Sequence, residues 1–396
     1  MSKLEELIQE LCPNGVEFTT FGEVINYEQP SKYIVKSTDY NDNFNIPVLT
    51  AGQTFILGYT NEQDGIYDAS KESPVIIFDD FTGSFKWVDF PFKVKSSAIK
   101  MLTADETTTT LRYIYHYMGN IGFTSDEHKR LWIGTYSAFE LPLPPLPVQR
   151  EIVRILDNFT ELTAELTAEL TARKKQYEYY RESLLTFREN TNVAKVKLKE
   201  ICEIYLGLTA TPNYTDSGVK FISAQNISKD FLDLENVKYI SESDYEKATS
   251  NAKPKRGDLL FTRVGSNIGH PVIVDTDEKL CVFVSLGFLR IKNRNMIIIS
   301  FLKHWMNTEL FWSQVRKNVH GAAKVNLNTG WLKEFEISLP CLEEQHRIVS
   351  ILDRFDVLCN DLTSGLPAEI EARQKQYEYY RDKLLTFQPL EKGGAQ

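Results

Sequence analysis

The chain has no apolar run long enough to cross a bilayer, no paired cysteines and no general excess of basic residues. Its longest apolar stretch, residues 296–302, is broken by Ser300 and falls far short of the roughly 20 residues a spanning helix needs. Five cysteines (Cys12, Cys202, Cys281, Cys341 and Cys359) are scattered along 396 residues, with no CxxC pair and no histidine at ligand spacing. That argues against a zinc ribbon and reads as free thiols in a reducing compartment. The glycine-rich phosphate loop of the common nucleotide-binding proteins is absent, which excludes ATP binding by that route. The first residues, MSKLEELIQ, are acidic and amphipathic rather than a signal peptide, and the expected location is cytoplasmic with no membrane partner. A formal net charge of -9 excludes a generic polyanion binder, although a local field can still be positive.

What the chain does contain is a second copy of itself. QYEYYR occurs at 176–181 and again at 376–381, and both copies run on to LLTF. VEFTTFGEV at 16–24 matches VKLKEICEI at 196–204, and YIYHYM at 113–118 matches FLKHWM at 301–306. FELPLP at 139–144 matches FEISLP at 335–340, and ILD at 155–157 recurs at 351–353. Internal repeats outrank local signals. The repeating unit is a globular domain followed by a helical segment: a first globule at 1–145, helix at 146–190, a second globule at 191–340, helix at 341–389 and a tail at 390–396.

Within the first globule, residues 74–81 read as a buried strand. Phe90, Phe92 and Val94 alternate with Pro91, Lys93 and Lys95, which predicts a strand with one basic face. Residues 112–118 read as helix. The second globule repeats the pattern, with strands at 258–264, 271–274 and 280–284 and a helical face of Ile298, Phe301, Leu302, Trp305 and Met306. The fold class is α+β: two globules separated by two long helices forming an antiparallel coiled coil, in an internal pseudo-two-fold repeat. Val148, Ile152, Ile155, Phe159, Leu162 and Leu166 step by four and three, a heptad seam. Leu170 then follows Leu166 by four where a heptad takes three, a stutter made by TAEL in tandem at 163–166 and 167–170. Tyr177 and Tyr180 continue that face. Ile348, Ile351, Phe355 and Leu358 repeat it until Gly365 and Pro367 interrupt, with Ser364 a cap for a restarted helix carrying Tyr377 and Tyr380.

These segments resemble the specificity subunit of Type I restriction–modification enzymes. The resemblance rests on the helix openings QREIVRILD (149–157) and EQHRIVSILD (344–353), the KQYEYYR–LLTF endings and GDLLFTRVGSNIG at 257–269, recurring in order over nearly the whole chain. It implies a DNA reader with no catalytic residues, each globule a target recognition domain for one half of a split asymmetric site in double-stranded DNA. The helices would space the globules and dock two methyltransferase (modification) subunits, with restriction/translocase subunits joining them. S-adenosylmethionine, ATP and Mg are expected on those partners and no cofactor on this chain. The residues themselves leave two alternatives open: the specificity subunit of a Type IIB system, and a coiled-coil adaptor that does not bind DNA.

DNA binding needs positive charge for phosphates and placed side chains for base edges. Lys86, Lys93, Lys95 and Lys100 face only Asp89 between residues 84 and 100, and residues 290–324 are likewise basic, with Arg316, Lys317 and Lys324 among them. The base-reading candidates are Gln53, Thr82, Ser84, Lys86 and Lys95 in the first globule and Arg263, Ser266, Asn267, Lys324 and Asn326 in the second. The docking and coiled-coil candidates are the seam residues from Ile152 to Tyr180 and from Ile348 to Tyr380 named above.

Overall fold

The computed structural model describes residues 2–52, 54–123, 129–187, 193–265, 267–318 and 326–390. They fall into two compact units, one of residues 1–165 with 371–396 and one of residues 166–370. The units therefore do not follow the linear segments. The QYEYYR copy at 376–381 belongs to the first unit and the copy at 176–181 to the second.

In the first unit the strand Val75–Asp79 lies inside a four-stranded antiparallel sheet, in the order Ile25–Glu28, Ile99–Ala104, Val75–Asp79, Phe85–Val88. A strand with no polar alternation buries both faces, and its side chains divide at period two. Ile76 and Phe78, with Leu102, join the core that includes the helix Leu111–Ile121; Val75 and Ile77, with Ile99 and Met101, join a second core. That second core is shared with a small sheet of Ile56–Thr60, Ile46–Leu49 and Lys93–Val94. The strand expected through residues 90–95 reduces to those last two residues, and its basic face is a misreading. Lys93 is buried, donating to the carbonyls of Asp64 and Gly65 at 2.6 and 3.1 Å and pairing with Glu62 at 3.1 Å.

The second unit repeats this plan of a main and a smaller sheet, with a fourth strand in the smaller one. Its main sheet runs Cys202–Leu206, Leu286–Ile291, Leu259–Thr262, Pro271–Ile273, all antiparallel. Leu259 and Phe261 enter the core with helix Ile299–Met306, while Leu260 enters the opposite one. The smaller sheet again ends in a parallel pair, Val219–Ile222 with Leu280–Val282, as Ile46–Leu49 does with Lys93–Val94. Cys202 sits in the first of these cores and Cys281 in a smaller cluster with Val219, Phe221, Ile240 and Tyr245; burial pushes their thiols up to about 12 and about 11, so both stay protonated and inert at neutral pH.

Helix Leu146–Leu185 is unbroken over 40 residues and contributes to both units; Leu342–Asn360 and Leu366–Leu384 are its counterparts. Each repeat seats its globule on its helix with one buried glutamine. Gln149 accepts from Thr109 Oγ1 and Thr110 N, both at 3.0 Å, and donates to the Pro144 carbonyl at 2.8 Å. Gln345 accepts from Ile298 N at 3.0 Å and donates to the carbonyls of Met296 and Pro340 at 2.9 Å. The break before Leu366 forms as expected, but Ser364 Oγ donates to the Asp361 carboxylate at 2.7 Å. No helix among the described residues is long and apolar enough to cross a membrane.

Candidate nucleic-acid interface

The hairpins at the edges of the two main sheets close in the same way. Asp79 N donates to the Ser84 carbonyl at 2.8 Å and Gly83 N returns to Asp79 O at 2.9 Å; Thr262 N donates to His270 O at 3.1 Å and Gly269 N returns to Thr262 O at 2.7 Å. Gly83 and Gly269 hold φ of 72° and 74°, a left-handed conformation that a Cβ would strain. Three residues separate Asp79 from Gly83 in the sequence, whereas six separate Thr262 from Gly269. Thr82 and Ser84 sit at the first end and Asn267 at the second, with Lys86 half-buried on the adjoining strand. Lys95 lies apart from the hairpin, donating to the Tyr40 hydroxyl at 3.2 Å.

Two further basic candidates are turned inward. Lys100 is fully buried, its ammonium 3.2 Å from Asp80 Oδ2 and donating to Gln29 Oε1 at 3.1 Å. Lys93 and Lys100 are thus core cations and leave the set of DNA-facing residues, because a buried ammonium held by a carboxylate cannot also meet a phosphate. Arg263, expected at a base edge, is buried and donates to Val284 O at 3.0 Å, to Leu327 O at 3.4 Å and to Asn326 Oδ1 at 3.3 Å. It braces two loops, and Asn326 is its partner. Arg316 and Lys317 are exposed on helix Glu309–Asn318, with Arg316 paired to Glu309. Gln53, Ser266 and Lys324 lie outside the described residues.

The seam candidates divide by burial. Ile152 and Ile348 are fully buried, while Ile155, Ile351, Leu166 and Leu170 are half-buried. Leu162 and Leu358 are exposed, so a continuous buried seam is not what these helices form within their units. The pairing is aromatic. Phe159 stacks on Tyr380 in the first unit with ring centroids 5.3 Å apart, and Phe355 stacks on Tyr180 in the second at 5.5 Å.

The first tyrosine of each QYEYYR has a different task, one the periodicity did not reveal. In the first unit, His116 is buried with Nε2 2.8 Å from Asp157 Oδ1 and Nδ1 3.1 Å from the Tyr377 hydroxyl. In the second, His304 is buried with Nε2 2.7 Å from Asp353 Oδ1 and Nδ1 3.2 Å from the Tyr177 hydroxyl. Each clasp ties a globule to two helical segments. All six residues lie in the matched strings of the repeat; polar identity at matching positions was the signal available.

Burial holds the His116 imidazole below its ordinary value of 6.5, the Asp157 carboxylate opposing this only in part. As pH falls, the unfolded chain takes up this proton first, so the unfolded state gains. The first unit is therefore expected to lose stability from about pH 6.5 downward, until the folded group protonates as well. Denaturant titrations across that range measure the slope, and His116→Gln should remove this component of it. A variant with the native slope would mean the histidine is not held neutral by burial.

Two segments, residues 13–173 and 190–372, match the family model of the Type I restriction modification DNA specificity domain. The chain is a member of that family. It is 42% identical, over 98% of its length and 97% of the relative's, to the EcoR124I/EcoR124II specificity subunit of Escherichia coli. It is 32% identical, over 97% of its length and 98% of the relative's, to a putative Type I specificity subunit of Haemophilus influenzae. The fold matches the solved S subunit of a Type I restriction–modification system from M. genitalium with a TM-score of 0.60 at 12% identity, covering 94% of this chain and 96% of that one. As a Type I specificity subunit it is a non-catalytic recognition chain, and the Type IIB and adaptor readings are not favoured. Among the described residues no cluster of His, Cys, Asp and Glu could hold a metal ion. The Asp277-Glu278-Lys279 run, which imitates a nuclease fragment, forms surface ion pairs with Arg256, Lys220 and Glu242.

Proposed function

We propose that this specificity subunit reads a bipartite, asymmetric site in double-stranded DNA, one half with each globule. In this reading its helices set the spacing and dock two modification subunits. Those partners carry S-adenosylmethionine and methylate adenine N6; restriction subunits join for ATP- and Mg-dependent translocation and cleavage. The observation that carries the reading is the pair of hairpin ends. One scaffold, closed by the same left-handed glycine, is filled by loops of different length and chemistry, as two different half-sites require. Tyr179 and Tyr379 support two copies of one partner: 68% and 61% exposed, they lie edge-on to Tyr180 and Tyr380 and offer the same face twice.

The test is single-molecule methylation sequencing of DNA from a host expressing the full chain with the modification subunit encoded beside it. A split, asymmetric motif with N6-methyladenine in both halves is the expected result. A continuous or palindromic motif would refute the division of labour between the globules.

A further inference from the structure

We infer that each globule reads bases with an exposed aromatic–cation pair beside its hairpin end: Phe81 with Arg130 in the first unit, and Phe231 with Lys229 in the second. The inference rests on the bipartite reading above and names side chains that residue type alone did not single out.

In the first unit Phe81 occupies the turn and is 37% exposed. The backbone on which the ring stands is fixed, because Asp79 Oδ1 accepts from both Phe81 N at 2.9 Å and Thr82 N at 3.0 Å. The Arg130 guanidinium lies 6.0 Å from the ring centroid and 3.5 Å from Asp80 Oδ2, with its side chain still 54% exposed. Leu131 N and Trp132 N, next along the chain, donate to Asp80 O at 2.7 Å and to Asp80 Oδ1 at 2.8 Å. Phenylalanine and arginine are thus mounted on two consecutive aspartates, Asp79 and Asp80.

At the second hairpin end Arg263 is bonded to carbonyls and Ile268 is buried, while Asn267 stays exposed. A neighbouring loop brings the equivalent pair. Phe231 is 44% exposed, with the Lys229 ammonium 5.3 Å from its ring centroid. The loop is pinned to the hairpin by His270 Nε2, donating to Lys229 O at 3.0 Å. It is closed from within by buried Asn226, whose amide donates to Asp233 O and Asn236 O, each at 3.2 Å. Different segments have placed the same two chemistries beside the same structural landmark.

A fixed, water-exposed phenylalanine under a cation suits a duplex groove. The ring can pack on a thymine methyl or wedge a base step, while the cation donates to guanine O6 and N7. Arginine offers a planar fork and lysine a single point of charge, so the two halves would be read with different stringency.

The experiment compares methylation motifs for Phe81→Ala, Arg130→Ala, Lys229→Ala and Phe231→Ala in the full chain, each expressed with its modification subunit. Losing a bidentate contact should relax discrimination at a position by about ten- to a hundredfold. We expect Phe81→Ala and Arg130→Ala to relax positions in one half only, and Lys229→Ala and Phe231→Ala to relax positions in the other half only. Arg130→Lys should keep methylation but relax the same position as Arg130→Ala. Motifs identical to wild type, or uniformly weaker methylation with both halves still read as in wild type, would overturn the inference. A wild-type chain giving no split motif would defeat the bipartite reading itself, and this inference with it.

Discussion

Replacing Asp80 by alanine is expected to destabilise the first unit by about 3–5 kcal/mol, since it strands a buried charge. Lys100 is fully buried and its ammonium faces Asp80 Oδ2 at 3.2 Å, as an ion pair rather than an aligned hydrogen bond. The same carboxylate accepts from Trp132 N at 2.8 Å, so the substitution also orphans a buried amide. For a unit of this size the loss corresponds to a fall in Tm on the order of 10 °C, readable by thermal unfolding. The double change Asp80→Leu with Lys100→Met separates charge from packing. If the stranded ammonium is the cause, removing both charges restores much of the loss, because a buried pair is often matched by apolar residues of similar volume. A double variant no better than Asp80→Ala would assign the effect to the Trp132 contact instead. Lys100→Gln alone should cost less, since the Asp80 carboxylate keeps Trp132 N at 2.8 Å and the Arg130 guanidinium at 3.5 Å.

That buried pair also marks where the sequence stopped being legible. Lys93 and Lys100 looked cationic and free because the nearest acid in their window was Asp89. Their partners are Glu62 and Asp80, brought close by the fold from outside that window. Arg263 was opaque for a related reason: it pairs with backbone carbonyls, which every residue has and no composition reveals. The repeated His, Asp and Tyr were legible as a duplication, because they make the same contacts in both copies, whereas the unit each QYEYYR joins was not. Tyr177 and Tyr377 were visible as recurring aromatics but were read as packing, since a heptad register counts a tyrosine ring and ignores its hydroxyl. Only the fold brings a buried histidine to that hydroxyl. Periodicity likewise gave the path of the helices and not the exposure along it, which is why Leu162 and Leu358 were placed in a seam they do not fill.

Inserting one more TAEL in the central helix is expected to lengthen the spacer of the DNA site by one or two base pairs and to leave both half-sites unchanged. Methylation at the original spacing should fall to background, the largest change any single alteration of this chain should produce. Helix Leu146–Leu185 is continuous through the tandem, and the boundary between the units falls within it, between Glu165 and Leu166. Ala164, Glu165, Thr167, Ala168 and Glu169 are exposed, and Thr163 returns its hydroxyl to the Phe159 carbonyl at 2.8 Å within its own helix. The ring stacks at Phe159 and at Tyr177 and Tyr180 lie on either side. Leu170 packs against the second unit's core, and a third copy puts a leucine back at the same spacing; the four added residues add about 6 Å of helix and about 40° beyond a full turn. Base pairs rise about 3.4 Å each, so the displacement matches one or two of them. Methylation sequencing of the insertion variant reads the result directly, and an unchanged spacer would mean that the helix does not set the distance. Length rather than side-chain chemistry carries this argument, so a tetra-alanine insertion at the same point must shift the spacer by the same amount. If only the TAEL insertion did so, its exposed threonine and glutamate would have to be contacting something, and the helix would be a surface rather than a ruler.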